Sequence, residues 1–446
     1  MSTDLVVHGG TRVGAEWEVS IPGDKSISQR ILIAAAGMPG MTRVVNSNSG
    51  LAVALLQEAL ACLGVEFVRA GDALLVGTIS VPAGTTVEKP LYFGPASASA
   101  RLLLGYLAGS GIGAIFDGDY TLRRRPMQWV VDPLRELGAG IEYLDEPGHL
   151  PLRLAPSRLH SGEVEMTVGS AQARSAILLA AAASGQRVKI RHPVHSRDHT
   201  ERLLSYLGAA LEIHENLIEI HGSRIRSVPE LSIPSDPSAV AYPLAAHLLS
   251  ETNGSLSFRG ICLNATRTGF IALARSMGAV IDFEHVSEVC GEPVGIVTTG
   301  PGPSRLHPFI VDDDAVLHSL IDEVPLACAL ATRANGRSRV MGAGELVWKE
   351  TNRLETTCRM LTAFGANVSV EKDGIWVEGG WMLRSGTIPS FGDHRVAMTA
   401  ASLATALGGI STVEQGGCYA NSTPGFVEMM RAGGWSMEER GTRGFE

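Results

Sequence analysis

The chain reads as an α/β protein, a two-lobed inside-out α/β barrel built from six repeated β/α units with three units per lobe. Three observations predict this. An apolar residue, a glycine and a small residue recur at Leu63-Gly64-Val65, Leu137-Gly138-Ala139, Leu207-Gly208-Ala209, Met277-Gly278-Ala279, Phe364-Gly365-Ala366 and, more weakly, Ala432-Gly433-Gly434, on a beat of roughly 70 residues that marks an internal repeat. Alanine-rich segments with polar starts keep the same beat: "SISQRILIAAAG", "SASARLLLGYLAGS", "SAQARSAILLAAAASG", "PSAVAYPLAAHLLS", "DEVPLACALATRANG" and "DHRVAMTAASLATALGG". They are apolar nearly all round, as buried helices are, and β-rich runs such as "RVKIRHP" and "GSLSFRG" follow them.

Each element of the unit has a reason. The alanine-rich helix is the buried one, whereas a second, more polar helix ends at the repeated glycine, where a left-handed C-cap needs no β-carbon. Another strand follows, as in "GIEYL", "ALEIH", "VIDFE" and "NVSVE". Three units make a domain of ordinary size. This places lobe one at 1–22 plus 238–446, with the N-terminal strand, and lobe two at 23–237, with the active cleft expected between them. The longer interval before Gly365 reads as a loop insertion around "VCGEPVGIVTTGPGPSRLHP", which is rich in Gly and Pro.

Composition excludes several classes. With 446 residues, 45% of them hydrophobic and 19% charged, the chain is globular and long enough for two cores. A net charge of −9 argues against a broad nucleic-acid or membrane-surface footprint. Cys62, Cys262, Cys290, Cys328, Cys358 and Cys418 form no CxxC, so reduced thiols in a cytoplasmic protein are expected. "MSTDLVVHGG" lacks a signal-peptide pattern, and no apolar run reaches the length of a membrane span. A monomer acting on small molecules is the expectation.

Sheathing the buried helices in sheets would gather their polar starts at one end of each lobe. Those starts hold Lys25, Ser26 and Arg30; Arg101; Ser170, Ala171 and Gln172; Asp322 and Glu323; and Asp393, His394 and Arg395, while "LRRRPM" and "ELVWKETNR" add further charge. Several cations and a few carboxylates near helix N-termini suit a small substrate bearing phosphate and carboxylate groups. The carboxylates would serve as acid and base. Plainer readings stand beside these: Asp24 or Ser26 as a simple N-cap, Arg123 to Arg125 as a solvated charge run, and His394 as a satisfied cap residue. "GDKS" lacks the GxxxxG of a P-loop, and His192, His195 and His199 have no Cys or HExxH to support zinc. No metal or organic cofactor is expected.

"PGDKSISQR", "GDYTLRRRPM", "SAQARSAILLAA", "SRDHTERLL", "DEVPLACALA", "ELVWKETNRLE" and "FGDHRVAM" together resemble the enolpyruvyl transferases, the family of the 5-enolpyruvylshikimate-3-phosphate synthases, in family order over nearly the whole chain. The resemblance implies two lobes of three β/α units. It also implies transfer of the enolpyruvyl (carboxyvinyl) group of phosphoenolpyruvate to the 5-hydroxyl of shikimate 3-phosphate, without a cofactor. Carried over by motif, Lys25, Ser26, Arg30, Ser170, Ala171, Gln172, Ser196, His199, Asp322, Glu345 and Lys349 would bind shikimate 3-phosphate. Ser170, Ser196 and Lys349 would hold its phosphate, Arg30 its carboxylate, and Asp322 its hydroxyl as general base. Lys25, Arg125, Gln172, Arg353, His394 and Arg395 would bind phosphoenolpyruvate. Glu350 would be the proton donor, with Lys25, Lys349 and His394 completing the catalytic set.

Departures cluster on the phosphoenolpyruvate side. Pro95-Ala96-Ser97-Ala98 replaces a glycine-rich Asn-Ala-Gly-Thr loop, Asn421 replaces a lysine and Asn352 an aspartate, and an acidic pair near Leu51 and Ala52 is missing. Two alternatives therefore stay open: elimination of phosphate from shikimate 3-phosphate alone, giving a cyclohexadiene carboxylate, and transfer to another alcohol in specialised metabolism. A non-enzymatic binding protein would have lost Asp322 and Glu350, and both are present.

Overall fold

Among the described residues, six four-stranded sheets carry the repeat. The computed structural model describes residues 3–10, 16–192, 196–222, 225–250 and 253–441. In sheet after sheet an outer strand runs parallel to its neighbour and two antiparallel strands follow: Gly162–Glu165 beside Val188–Arg191, then Leu217–His221 and Ala210–His214, and likewise Thr86–Tyr92 beside Gly113–Asp117, then Leu152–Ala155 and Gly140–Tyr143.

The chain forms two compact units, one comprising Met1–Pro22, Ser235–Ser287 and Pro293–Glu446, the other Gly23–Pro234 with Glu288–Glu292. The sequence reading differs at two points. The division falls before Ser235, where Asp236 starts the next helix as its N-cap, and the short segment 288–292 packs with 23–234 instead of with 238–446.

Each unit holds three helices inside and three sheets outside. Lys25–Ala36, Ser97–Ser110 and Ala171–Ser184 form the interior of one. Pro237–Leu249, Val324–Ala331 and His394–Ala404 form that of the other. Alanine and glycine suit these positions because interior helices touch neighbours on every side. A β-carbon on Gly105 would lie 2.1 Å from the Ala176 carbonyl oxygen, and one on Gly109 2.2 Å from that of Ala180. Gly105→Ala is therefore expected to destabilise the protein by about 1–3 kcal/mol through overpacking, read as a lower urea midpoint with an unchanged slope.

The repeated glycines end the outer helices as left-handed residues, with φ of 79° at Gly64, 98° at Gly138, 87° at Gly208, 101° at Gly278 and 90° at Gly365. In the last and weakest copy Gly434 takes this role at φ 89°, while Gly433 has φ −80°. Within the supposed insertion loop Glu292–Thr299 is a strand that pairs back on the preceding Ile281–Val289, because Cys290 and Gly291 both take positive φ and close a tight turn between them. The N-terminal segment supplies two strands: Thr3–Gly9 pairs with Gly409–Glu414 and Ser436–Gly441, and Glu16–Glu18 with Ser255–Cys262. No helix among the described residues is long and apolar enough to cross a membrane.

Candidate active site

In the unit containing 23–234, the polar starts of the interior helices are both caps and candidate ligands. Asp24 is the N-cap of Lys25–Ala36, its carboxylate accepting from the Ile27 N–H at 2.8 Å, so the plain capping reading holds for Asp24. Lys25 and Ser26, which follow it, are half-buried. Arg30, one turn later, is buried; its Nε donates to Thr200 Oγ1 at 2.7 Å, Nη1 to the Ser26 carbonyl at 2.9 Å and Nη2 to Ser175 Oγ at 2.9 Å. A guanidinium has five N–H groups. These three bonds fix its plane.

Ser170 caps Ala171–Ser184, accepting from the Ala173 N–H at 3.3 Å, and Ala171 and Gln172 form the first turn. Gln172 Oε1 accepts from Arg101 Nη1 at 2.6 Å, and Arg101 Nη2 donates to the Pro126 carbonyl at 2.7 Å. Arg101 thereby turns the Gln172 amide so that its NH₂ points elsewhere. The Ser196 hydroxyl is buried and has no hydrogen-bond partner among the described residues, so it is available to a ligand oxygen. His199 is turned inward: its side chain is 1% exposed and Nδ1 lies 2.6 Å from Glu292 Oε1. His192 is buried, and His195 lies outside the described residues.

The departures meet Arg125. This residue, 6% exposed, donates from Nη1 to Ser97 Oγ at 2.9 Å and lies 3.5 Å from the Pro95 carbonyl. The serine hydroxyl, which a glycine would lack, occupies one of its N–H groups. The neighbouring arginines divide: Arg123 pairs with Asp117 at the surface, as a charge run would, whereas Arg125 is buried. Leu51 is exposed at the start of Leu51–Cys62, a helix with no side-chain cap.

The other unit holds a buried charge network. Arg353, 2% exposed, donates from Nε to Asp393 Oδ2 at 2.9 Å, from Nη1 to Asp322 Oδ1 at 3.2 Å and from Nη2 to Glu350 Oε2. Burial alone would lower its pKa, but Asp393, Glu350 and Asp322 together hold it above the ordinary arginine value. Arg395 reaches Glu323 Oε1 at 3.1 Å, the Tyr242 hydroxyl at 3.3 Å and Asp322 Oδ2 at 3.9 Å. Burial pushes the Tyr242 hydroxyl up to about 12, with Arg395 opposing it, so it stays neutral. Asp393 also caps His394–Ala404 and accepts from Thr351 at 3.0 Å, and His394 is buried as the first residue of that helix. Lys349 donates to Glu345 at 2.5 Å.

Asn352 caps Arg353–Ala363, accepting from the Glu355 N–H at 3.3 Å; asparagine caps as well as aspartate, so this departure keeps its structural role. Asn421 is half-buried at the end of the turn Gly416–Asn421. Among the described residues, two groups bring three ligand atoms within 4.8 Å: Glu350, Asp393 and His394, and Glu212, Glu219 and His221. Arg353 binds two carboxylates of the first, and Arg187 and Lys189 bind Glu219 of the second, so both are ion-pair clusters.

Sequence reasoning missed several supports. Arg174 pairs with Glu201 at 2.5 Å and donates to the Ser196 and Arg197 carbonyls at 3.1 and 2.9 Å; Thr200, Ser175, Tyr242 and Glu292 hold other site residues. "SRDHTERLL" contains two of these, but their partners come from distant segments.

Buried guanidiniums and carboxylates gathered at helix starts, in a six-fold repeat, define an enzyme that works on small molecules. The chain belongs to the EPSP synthase family: the family model described as EPSP synthase (3-phosphoshikimate 1-carboxyvinyltransferase) matches residues 8–430. It is 36% identical over 424 residues to the 3-phosphoshikimate 1-carboxyvinyltransferase of Roseiflexus castenholzii, covering 93% of this chain and 96% of that one. It is 37% identical over 393 residues to that of Limosilactobacillus fermentum, covering 87% and 89%. An EPSP synthase structure from Acinetobacter baumannii superposes with a TM-score of 0.84 at 27% identity, covering 98% of this chain and all of that chain.

Proposed function

We propose that the protein transfers the enolpyruvyl group of phosphoenolpyruvate to the 5-hydroxyl of shikimate 3-phosphate, releasing phosphate. The observation that carries this reading is Arg353, whose single buried guanidinium contacts both Asp322 and Glu350 and so holds a base and an acid together. Protonated Glu350 gives its proton to the methylene carbon of phosphoenolpyruvate. The acceptor hydroxyl then attacks the neighbouring carbon as Asp322 takes its proton, forming a tetrahedral intermediate; loss of a methyl proton and of phosphate restores the double bond. Lys25, Ser170, Ser196 and Lys349 hold phosphate oxygens, Arg30 with Ser26 the ring carboxylate, and Arg125, Gln172, Arg395 and His394 the donor. Calorimetry with shikimate 3-phosphate tests the acceptor: binding is expected, and Arg30→Ala should weaken it by about 1.5–3 kcal/mol, the worth of a hydrogen bond to a charged group. No heat at millimolar ligand would overturn the assignment.

A second reading keeps the acceptor and drops the donor: a base removes the C6 proton, the ring double bond shifts, and phosphate leaves as a conjugated diene forms. The Ser97 hydroxyl on Arg125 favours it, because it fills part of the proposed donor site. Under the transfer reading Ser97→Gly should lower the KM for phosphoenolpyruvate about fivefold, the value of one hydrogen bond near 1 kcal/mol; under elimination it leaves phosphate release from shikimate 3-phosphate unchanged.

A further inference from the structure

We infer that Glu292 is a positioning residue for the shikimate 3-phosphate site, acting through His199 on the first turn of His199–Tyr206. Within the unit formed by Gly23–Pro234 and Glu288–Glu292, this turn is where the acceptor ligands are anchored. Thr200 Oγ1 accepts from Arg30 Nε at 2.7 Å and donates to Ser175 Oγ at 2.7 Å, and Ser175 accepts Arg30 Nη2, so Thr200 sets the guanidinium plane from two sides. Glu201 seats Arg174, which clamps the carbonyls of Ser196 and Arg197 and so places the Ser196 hydroxyl. Between these anchors and the 196–197 backbone lie Asp198 and His199.

His199 has two neighbours that serve the ligand, yet its own ring is buried against a carboxylate from nearly a hundred positions away. Glu292 is 2% exposed, with Oε1 2.6 Å from His199 Nδ1. Its segment is tied to the same turn a second time: Arg202 Nη1 donates to the Gly291 carbonyl at 3.3 Å, and Arg202 Nε bonds Asp198 at 2.8 Å and lies 3.9 Å from Glu292 Oε2. The left-handed Cys290-Gly291 turn aims the carboxylate: a β-carbon on Gly291 would stand 2.7 Å from the Arg202 carbonyl oxygen, so the segment lies directly on the helix. A carboxylate buried at this depth needs its partner, and the ring it holds fixes the turn that carries Thr200 and Glu201.

This inference rests on the acceptor reading above, and wild-type binding of shikimate 3-phosphate is the control that separates them. In the full-length protein, Glu292→Ala is expected to raise the Kd and KM for shikimate 3-phosphate about tenfold or more, as displaced positioning groups do, while the KM for phosphoenolpyruvate stays within about twofold. Glu292→Gln, which still accepts from an imidazole N–H, should restore most of the affinity. A purely structural role would lower thermal stability and leave the two KM values in their wild-type ratio. Arg202→Gln, at a partly exposed site, loosens the same segment without opening the interior; it should weaken shikimate 3-phosphate about threefold and decides the matter if Glu292→Ala does not fold. Unchanged shikimate 3-phosphate affinity in the folded variants, with wild type binding, overturns the inference; absence of wild-type binding overturns the acceptor reading instead.

Discussion

Asp322→Asn is expected to lower kcat by about 10²–10⁴-fold, the usual worth of a general base, with little change in the KM for shikimate 3-phosphate. The asparagine side chain keeps an oxygen for the Arg353 Nη1 bond at 3.2 Å, so the network's geometry survives while the proton acceptor is lost. Steady-state kinetics with both substrates read this directly. A comparable rise in KM with kcat preserved would mean that Asp322 binds and does not take the proton.

Arg353→Met is expected to be the most destabilising single change in the site. Its guanidinium holds Asp393, which is fully buried, together with the partly buried Asp322 and Glu350, and its removal strands the Asp393 charge in the interior, a loss of about 3–5 kcal/mol. The measurement is a urea transition, expected at a lower midpoint with similar slope. Arg353→Lys should not rescue either stability or turnover, because one ammonium cannot reach three carboxylates along the directions of a planar fork. Full rescue by lysine would show that charge alone suffices there.

Much of this architecture was legible because the repeat leaves local marks. A glycine that must end a helix at positive φ and an alanine-rich stretch that must be buried are both consequences of one residue's size. The helix starts were legible for the same reason: capping and anion binding draw on the same free N–H groups, and Asp24 caps immediately before Lys25, a proposed ligand. What escaped was set by partners distant in sequence. Nothing near His199 announces Glu292, and nothing near Arg125 announces that Ser97 would lie against it. The Gly- and Pro-rich stretch after Val289 was misread because two positive-φ residues make a sharp turn between strands as readily as they begin a loop.

The central claim is that phosphoenolpyruvate is consumed. Purified protein is incubated with shikimate 3-phosphate alone and then with phosphoenolpyruvate added, while phosphate release, diene absorbance and the mass of the product are followed together. Transfer predicts no phosphate without phosphoenolpyruvate, then one phosphate per enolpyruvyl ether formed; phosphate and a conjugated diene appearing from shikimate 3-phosphate alone would contradict it.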